Sequence, residues 1–235
     1  MRILITNDDS ISSNQLLPLI KFCKTLGEVT VAVPKYEQSA KSHSIELHKP
    51  FSVEEQTLDG DVKAYVIGSS PADCVRLMVL GFGEKYDLVI SGINLGFNMG
   101  TDMLYSGTVA AVREAGILGI PAIALSTNPE NNDAVNELKQ VFDYISENKL
   151  LEIHTLYNIN IPPEPKGIKI TRQGGPYYSD NFVPVGKELY RASGICVYKK
   201  TDDLTIDSNA VMENYISIMP ITINMTDKKV FEKLK

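Results

Sequence analysis

Residues 6–9 read Thr-Asn-Asp-Asp and follow a short apolar run. Adjacent carboxylates oppose each other's ionisation, so Asp8 and Asp9 either share a cation or cap the helix that follows. Two later stretches carry further oxygen donors: residues 34–44 hold Ser39, and the glycine-rich residues 91–101 hold Asn94 and Asn98. A carboxylate pair, a hydroxyl and a side-chain amide make a hard, all-oxygen set suited to magnesium or manganese. Zinc is disfavoured, because there is no cysteine pair and the three histidines lack ligand spacing. Tyr105-Ser106-Gly107-Thr108 then leads into a helical segment. Hydroxyls, bare backbone N–H groups and the positive end of a helix dipole suit a phosphate, with simple capping as the competing explanation. A metal beside an oxyanion cradle is what phosphoester hydrolysis requires. His43 lies in the Ser39 loop and could protonate a leaving group, but loop histidines are common and no role is assigned to it; His48 and His154 are read as surface residues.

These donors do chemistry together only if the fold gathers them. Residues 2–6, 28–33, 63–67, 86–91 and 121–126 are short and almost wholly apolar, as parallel strands covered on both faces are. Helical segments alternate with them. One ends near Leu26 with an inward stripe of Leu16, Leu17, Ile20 and Cys23, and Pro18 fits only in its first turn. Another opens at Pro71, a third spans residues 107–116 and a fourth residues 133–148. The alternation predicts an α/β fold with a doubly wound, mostly parallel sheet. Ligands of such sheets bind at the carboxyl edge of the strands, where all the donor loops emerge. From about residue 160 prolines cluster, so the core is set at residues 1–160. Residues 161–235 are read as a β-rich extension with a strand at 212–222, a projecting hairpin for association and a terminal helix from residue 226.

The chain of 235 residues carries a net charge of -6, which disfavours stable binding of nucleic-acid polymers. No apolar run reaches the ~20 residues of a membrane span, and no signal-peptide pattern opens the sequence. Cys23, Cys74 and Cys196 sit among apolar neighbours and are read as buried, reduced thiols of a cytoplasmic protein. The spacings of a dinucleotide fingerprint and of an ATP-binding glycine loop are both missing.

Taken together, Ile5-Thr6-Asn7-Asp8-Asp9, Ser91-Gly92-Ile93-Asn94-Leu95-Gly96, Gly100-Thr101-Asp102 and Tyr105-Ser106-Gly107-Thr108-Val109-Ala110-Ala111 resemble the SurE family of survival proteins. Residues 119–124, 158–162, 168–174 and 215–220 fit the same pattern, so the resemblance runs nearly end to end. It implies a Rossmann-like core and a 5′/3′-nucleotidase acting on nucleoside monophosphates, with side activity on other phosphoesters or short polyphosphate. It further implies one divalent metal ion (magnesium or manganese) held by Asp8, Asp9, Ser39 and Asn94, and homodimers or homotetramers built through an exchanged hairpin. With it, Asn98, Ser106, Gly107 and Thr108 are expected to contact phosphate, and Asp8 or Asp9 to orient or deprotonate the attacking water. The alternatives are a broad phosphomonoesterase or exopolyphosphatase, and a non-catalytic nucleotide-binding module. This chain departs from the family pattern at Ser10, which stands where glycine is usual, at the bulky Phe97 and at Ser69.

Overall fold

The apolar runs become strands because their β-branched residues pack on both faces of a pleated surface. In the computed structural model, which describes residues 1–130 and 133–235, the strands are β1 (Arg2–Thr6), β2 (Glu28–Pro34), β3 (Val53–Leu58), β4 (Val62–Ile67), β5 (Leu88–Leu95), β6 (Ala122–Thr127) and β7 (Leu156–Ile161). They continue with β8 (Ile168–Ile170), β9 (Tyr178–Ser179), β10 (Phe182–Gly186), β11 (Leu189–Ala192), β12 (Ile195–Cys196) and β13 (Ile216–Pro220). Nine of them form one sheet in the order β3-β4-β2-β1-β5-β6-β7-β13-β8. From β4 through β7 the neighbours run parallel, while β3 and β13 are antiparallel insertions.

Helices α1 (Leu16–Lys24), α2 (Pro71–Arg76), α3 (Gly107–Ile117), α4 (Leu138–Glu147), α5 (Leu150–Ile153), α6 (Asp207–Met212) and α7 (Lys228–Leu234) complete the chain. Alternation along β1 divides the core in two. Ile3 and Ile5 pack toward α1 and α4 through Leu16, Ile20, Val141 and Ile145, while Leu4 faces α2 and α3 through Cys74, Val75, Val109 and Val112. The doubly wound α/β fold is therefore as expected.

Details differ for local reasons. Helix α1 begins at Leu16, so the i, i+3, i+4, i+7 stripe runs through Leu16, Leu19, Ile20 and Cys23, and Leu17 turns out to solvent. Pro18 falls in the first turn, where its missing N–H leaves nothing unmade. Cys23 and Cys74 are buried, but Cys196 is exposed because β12 belongs to a two-stranded ribbon with no layer over it. His154 is half-buried, with Nε2 2.6 Å from the Ile221 carbonyl oxygen. Residues 182–192 project as the antiparallel hairpin β10–β11, while β8 and β13 return the chain to the main sheet.

Candidate active site

Strand register gathers the polar residues. Thr6 at the end of β1 pairs with Ser91 of β5. Farther along the same edge, Asn94, Ser126 and Asn160 form one row across β5, β6 and β7. Gly92 makes that row possible. The strand register shifts between Ser91 and Asn94, and at Gly92 (φ 133°) a Cβ would lie 2.3 Å from the Leu125 carbonyl oxygen. Only glycine allows β6 to approach so closely.

Asp8 is buried and clamped. Its Oδ1 accepts the Thr108 hydroxyl at 2.5 Å, and a Cβ on Gly107 would lie 2.9 Å from the Asp8 Cβ and 3.0 Å from its Oδ2. Burial pushes the Asp8 carboxyl up, opposed by the Thr108 hydroxyl and by N–H groups of Asp8, Thr108 and Gly107. Asp9 is pushed up to about 6, first by burial and then by the neighbouring Asp8 charge, against an N–H bond from Leu95. Its Oδ2 is buried and, among the described residues, meets no hydrogen-bond donor; the same is true of Asn7 Oδ1. Neither aspartate caps α1, which begins at Leu16.

The remaining expected residues are each held by their own partners. The Asn94 Nδ2 donates to the Gly96 carbonyl at 2.7 Å, which leaves Oδ1 as the side available to a cation. The Ser39 loop is tied to the pair by the Gln38 N–H, 2.8 Å from the Asp8 carbonyl oxygen, although the Ser39 hydroxyl itself donates to Glu37 at 2.6 Å. Ser106 caps α3, its Oγ accepting from the Val109 N–H at 3.2 Å. The Thr108 hydroxyl and the Gly107 backbone face Asp8. Asn98 Nδ2 donates to the Ser126 hydroxyl at 2.8 Å, while its backbone is held by the amides of Asn158 and Asn160.

Does this pocket fit a hard cation? Among the described residues no three His, Cys, Asp or Glu side chains converge, so any ion here relies on two carboxylates completed by neutral oxygens. A buried carboxylate oxygen without a donor is costly unless a cation meets it. Asp9 Oδ2 is such an atom, and the donor set is all oxygen. The residues fit magnesium or manganese.

Further polar residues brace the site, and of these Glu114, Arg76 and Asp207 escaped the sequence reading. His43 Nε2 lies 2.7 Å from Glu114 Oε2 on α3, and Arg76 Nη1 lies 3.3 Å from Glu114 Oε1. Burial raises the Glu114 carboxyl, but His43 and then Arg76 outweigh it and hold it below its ordinary value. His43 thus moors the Ser39 loop to α3. Ser10 keeps the left-handed turn that glycine would adopt (φ 71°), and its carbonyl accepts from Asn7 Nδ2 at 2.9 Å. Asp207, fully buried on α6, accepts the N–H groups of Gly100, Gly174 and Ser208 at 2.7–2.9 Å and so fixes the loop after Asn98. Asp207→Asn turns an amide NH₂ toward one of these donors. We expect a loss of about 1–3 kcal/mol, read in a thermal melt as a drop of roughly 2–12 °C for a chain of this size.

A family model described as "Survival protein SurE" matches residues 3–180. A protein of Thermoanaerobacter sp. (strain X514) named "5'-nucleotidase SurE" is 42% identical over 239 residues, covering 97% of this chain and 94% of its own. One of Thermosipho africanus with the same name is 36% identical over 247 residues, covering 100% and 96%. The crystal structure of the Sure protein from Aquifex aeolicus superposes with a TM-score of 0.80 at 34% identity, covering 100% of this chain and 98% of that one.

Proposed function

The chain belongs to the SurE family, and from that premise we infer that it is a 5′-nucleotidase that works at the carboxyl edge of its sheet. It hydrolyses nucleoside monophosphates to nucleoside and phosphate. The finer reading is metal-dependent catalysis, with Asp8, Asp9, Ser39 and Asn94 holding one magnesium or manganese ion. The observation that supports it is the buried, donorless Asp9 Oδ2 beside a clamped Asp8. When bound, such an ion supplies Lewis-acid polarisation of a phosphoryl oxygen and neutralises growing charge.

The protein's own groups divide the remaining work. Asp8 is fixed by the Thr108 hydroxyl and the start of α3, so it positions rather than moves. Asp9 orients the attacking water; as the new P–O bond forms the ester P–O bond breaks, and the proton that the water loses ends on the departing nucleoside oxygen. Asn98 and the N-terminal turn of α3 border the phosphoryl group. The companion readings are cytoplasmic residence, supported by three unpaired cysteines, and two or four copies joined through the β10–β11 hairpin. No helix among the described residues is long and apolar enough to cross a membrane.

The test is phosphate release from AMP and GMP after chelation, with magnesium and manganese restored singly. Activity should vanish with chelation and return with either ion; full activity in the chelator rejects metal dependence. A binding measurement adds a sign. Because the folded-state value of Asp9 (about 6) lies above its ordinary 3.8, ionising it weakens the metal-free fold as pH rises from about 4 through 6. A cation binds only the ionised form. At about 100 times its Kd the ion should add about 2.7 kcal/mol, or roughly 5–11 °C in Tm, at pH 7.5. The increment should shrink as pH falls through 6. An equal shift at pH 5 and pH 7.5 contradicts the assignment.

A further inference from the structure

Residues 35–52, which carry Ser39 from β2 to β3, form no helix or strand. Their shape is set by what they are tied to. At the near end the Gln38 N–H donates to the Asp8 carbonyl. Beyond Ser39 the backbone is left-handed at Ala40 (φ 55°) and Ser42 (φ 52°), a conformation that residues other than glycine keep only where their surroundings enforce it. The enforcing contacts follow at once. The Ser42 N–H and hydroxyl donate to the Tyr105 and Leu104 carbonyls at 2.9 and 2.8 Å. The Ser44 carbonyl accepts the Ser70 hydroxyl at 2.6 Å, and the Glu46 N–H donates to Asp73 Oδ2 at 2.7 Å. Ser39 therefore lies on a short span between two fixed ends.

One of these anchors joins two side chains. His43 Nε2 lies 2.7 Å from Glu114 Oε2, and among the described residues no other side chain of residues 38–46 bonds to a side chain of another element. Glu114 is buried on α3 and keeps a second partner in Arg76, whose Nε lies 3.5 Å from Asp73 Oδ1. A buried carboxylate holds its place because moving it away from such partners is costly. Helix α3 thus grips two loops at once. Its first turn fixes Asp8 through the Thr108 hydroxyl, and about 9 Å farther along its axis Glu114 fixes His43. The loops that follow β1 and β2 are keyed to one rigid element.

We propose that His43 and Glu114 are positioning residues, whose contact holds the Ser39 loop in the conformation that completes the cation site against Asp8 and Asp9. The proposal rests on the metal reading and adds what prepares the site before an ion arrives. In this role His43 touches no substrate and moves no proton. It raises the fraction of metal-free protein whose loop is ready to bind, and apparent affinity falls in proportion as that fraction falls. Once the ion is bound the loop is held with or without His43, so the loaded enzyme turns over as before.

The experiment titrates manganese into the metal-free protein by calorimetry and, separately, measures kcat for AMP at saturating manganese. It uses wild type, His43→Ala, His43→Asn and His43→Gln. Arg76 still partners Glu114 in each variant, so the fold should be kept. Alanine and the shorter asparagine cannot reach Glu114, and each should raise the manganese Kd about tenfold or more, as loss of a group that orients a metal ligand does. Their kcat should stay within a factor of about two of wild type. Glutamine keeps an N–H donor at similar reach and should recover most of the lost affinity. An unchanged Kd in the alanine and asparagine variants would overturn the proposal, as would a glutamine variant as weak as alanine. So would a kcat lower by about 10²-fold at saturating metal, the mark of a proton donor to the leaving group. Failure of both truncated variants to fold would overturn it too, because the contact would then serve the fold and not the loop. A wild type that binds no manganese and releases phosphate without it would instead sink the metal reading, and this role with it.

Discussion

Asp8→Asn, assayed with saturating metal, should lose about 10³-fold or more in kcat while remaining folded. Three structural facts set that size and that separation. The Asp8 carboxylate is the most enclosed anion of the proposed metal site, and removing one negative ligand forfeits several kcal/mol of transition-state charge stabilisation, each 1.36 kcal/mol being tenfold in rate. The shape is preserved, since an asparagine Oδ1 can still accept the Thr108 hydroxyl at the position now 2.5 Å away. Burial also raises the Asp8 carboxyl, so its ionised form strains the metal-free fold above the ordinary carboxyl range. Without metal, relief of the buried charge opposes the cost, up to about 1–3 kcal/mol, of turning an amide NH₂ toward the N–H groups of Gly107 and Thr108. The variant should therefore stay folded at pH 7.5, and the metal-induced rise in Tm should disappear. Turnover within tenfold of wild type would refute the role given to Asp8.

Gly107→Ala should be nearly as damaging to catalysis for a purely steric reason. The new methyl would sit 2.9 Å from Asp8 Cβ, 3.0 Å from its Oδ2 and 3.2 Å from Pro71 Cγ. None of these is the tip of a long flexible chain: Pro71 opens α2, and Asp8 is held by hydrogen bonds. Asp8 must shift, and displacing a catalytic group by about 1 Å costs on the order of 10²-fold. Overpacking adds a stability loss of about 1–3 kcal/mol. The signature is a reduced kcat together with a weakened metal affinity, measured by calorimetric titration. A variant with wild-type kcat and metal binding would show that α3 can yield without disturbing Asp8.

The fold was largely legible because buried parallel strands leave an unmistakable trace. Runs such as Ile3-Leu4-Ile5 and Val29 to Val33 have no polar alternation, and helices between them dictate a doubly wound sheet. Strand β7 escaped because Leu-Tyr-Asn-Ile-Asn-Ile alternates like a half-exposed strand, yet Asn158 and Asn160 are wholly buried. Their amides hold the Asn98 backbone rather than meet water. Polar residues at period two inside an otherwise covered sheet were the available signal. Helix α6 has six residues and no side-chain cap, so nothing local announces it. Asp207 gains its importance from partners at positions 100 and 174, a distance in sequence that no periodicity spans. The expected donor residues were named from type and loop position alone. Which atoms remain unmatched, as at Asp9 Oδ2, is decided by the N–H groups that neighbouring turns supply, and that requires the folded backbone.

The sheet order carries a consequence for how the protein is made. Every residue of β7 is buried, and its outer side is covered by β13, residues 216–220. A ribosome that has delivered only the first two hundred residues has therefore built a sheet with an open, apolar edge and no Asp207 to restrain Gly100. Such an edge invites pairing between nascent chains. Productive folding thus waits for residues 207–220 to emerge, and premature termination anywhere before residue 216 should yield aggregates in place of a smaller working enzyme.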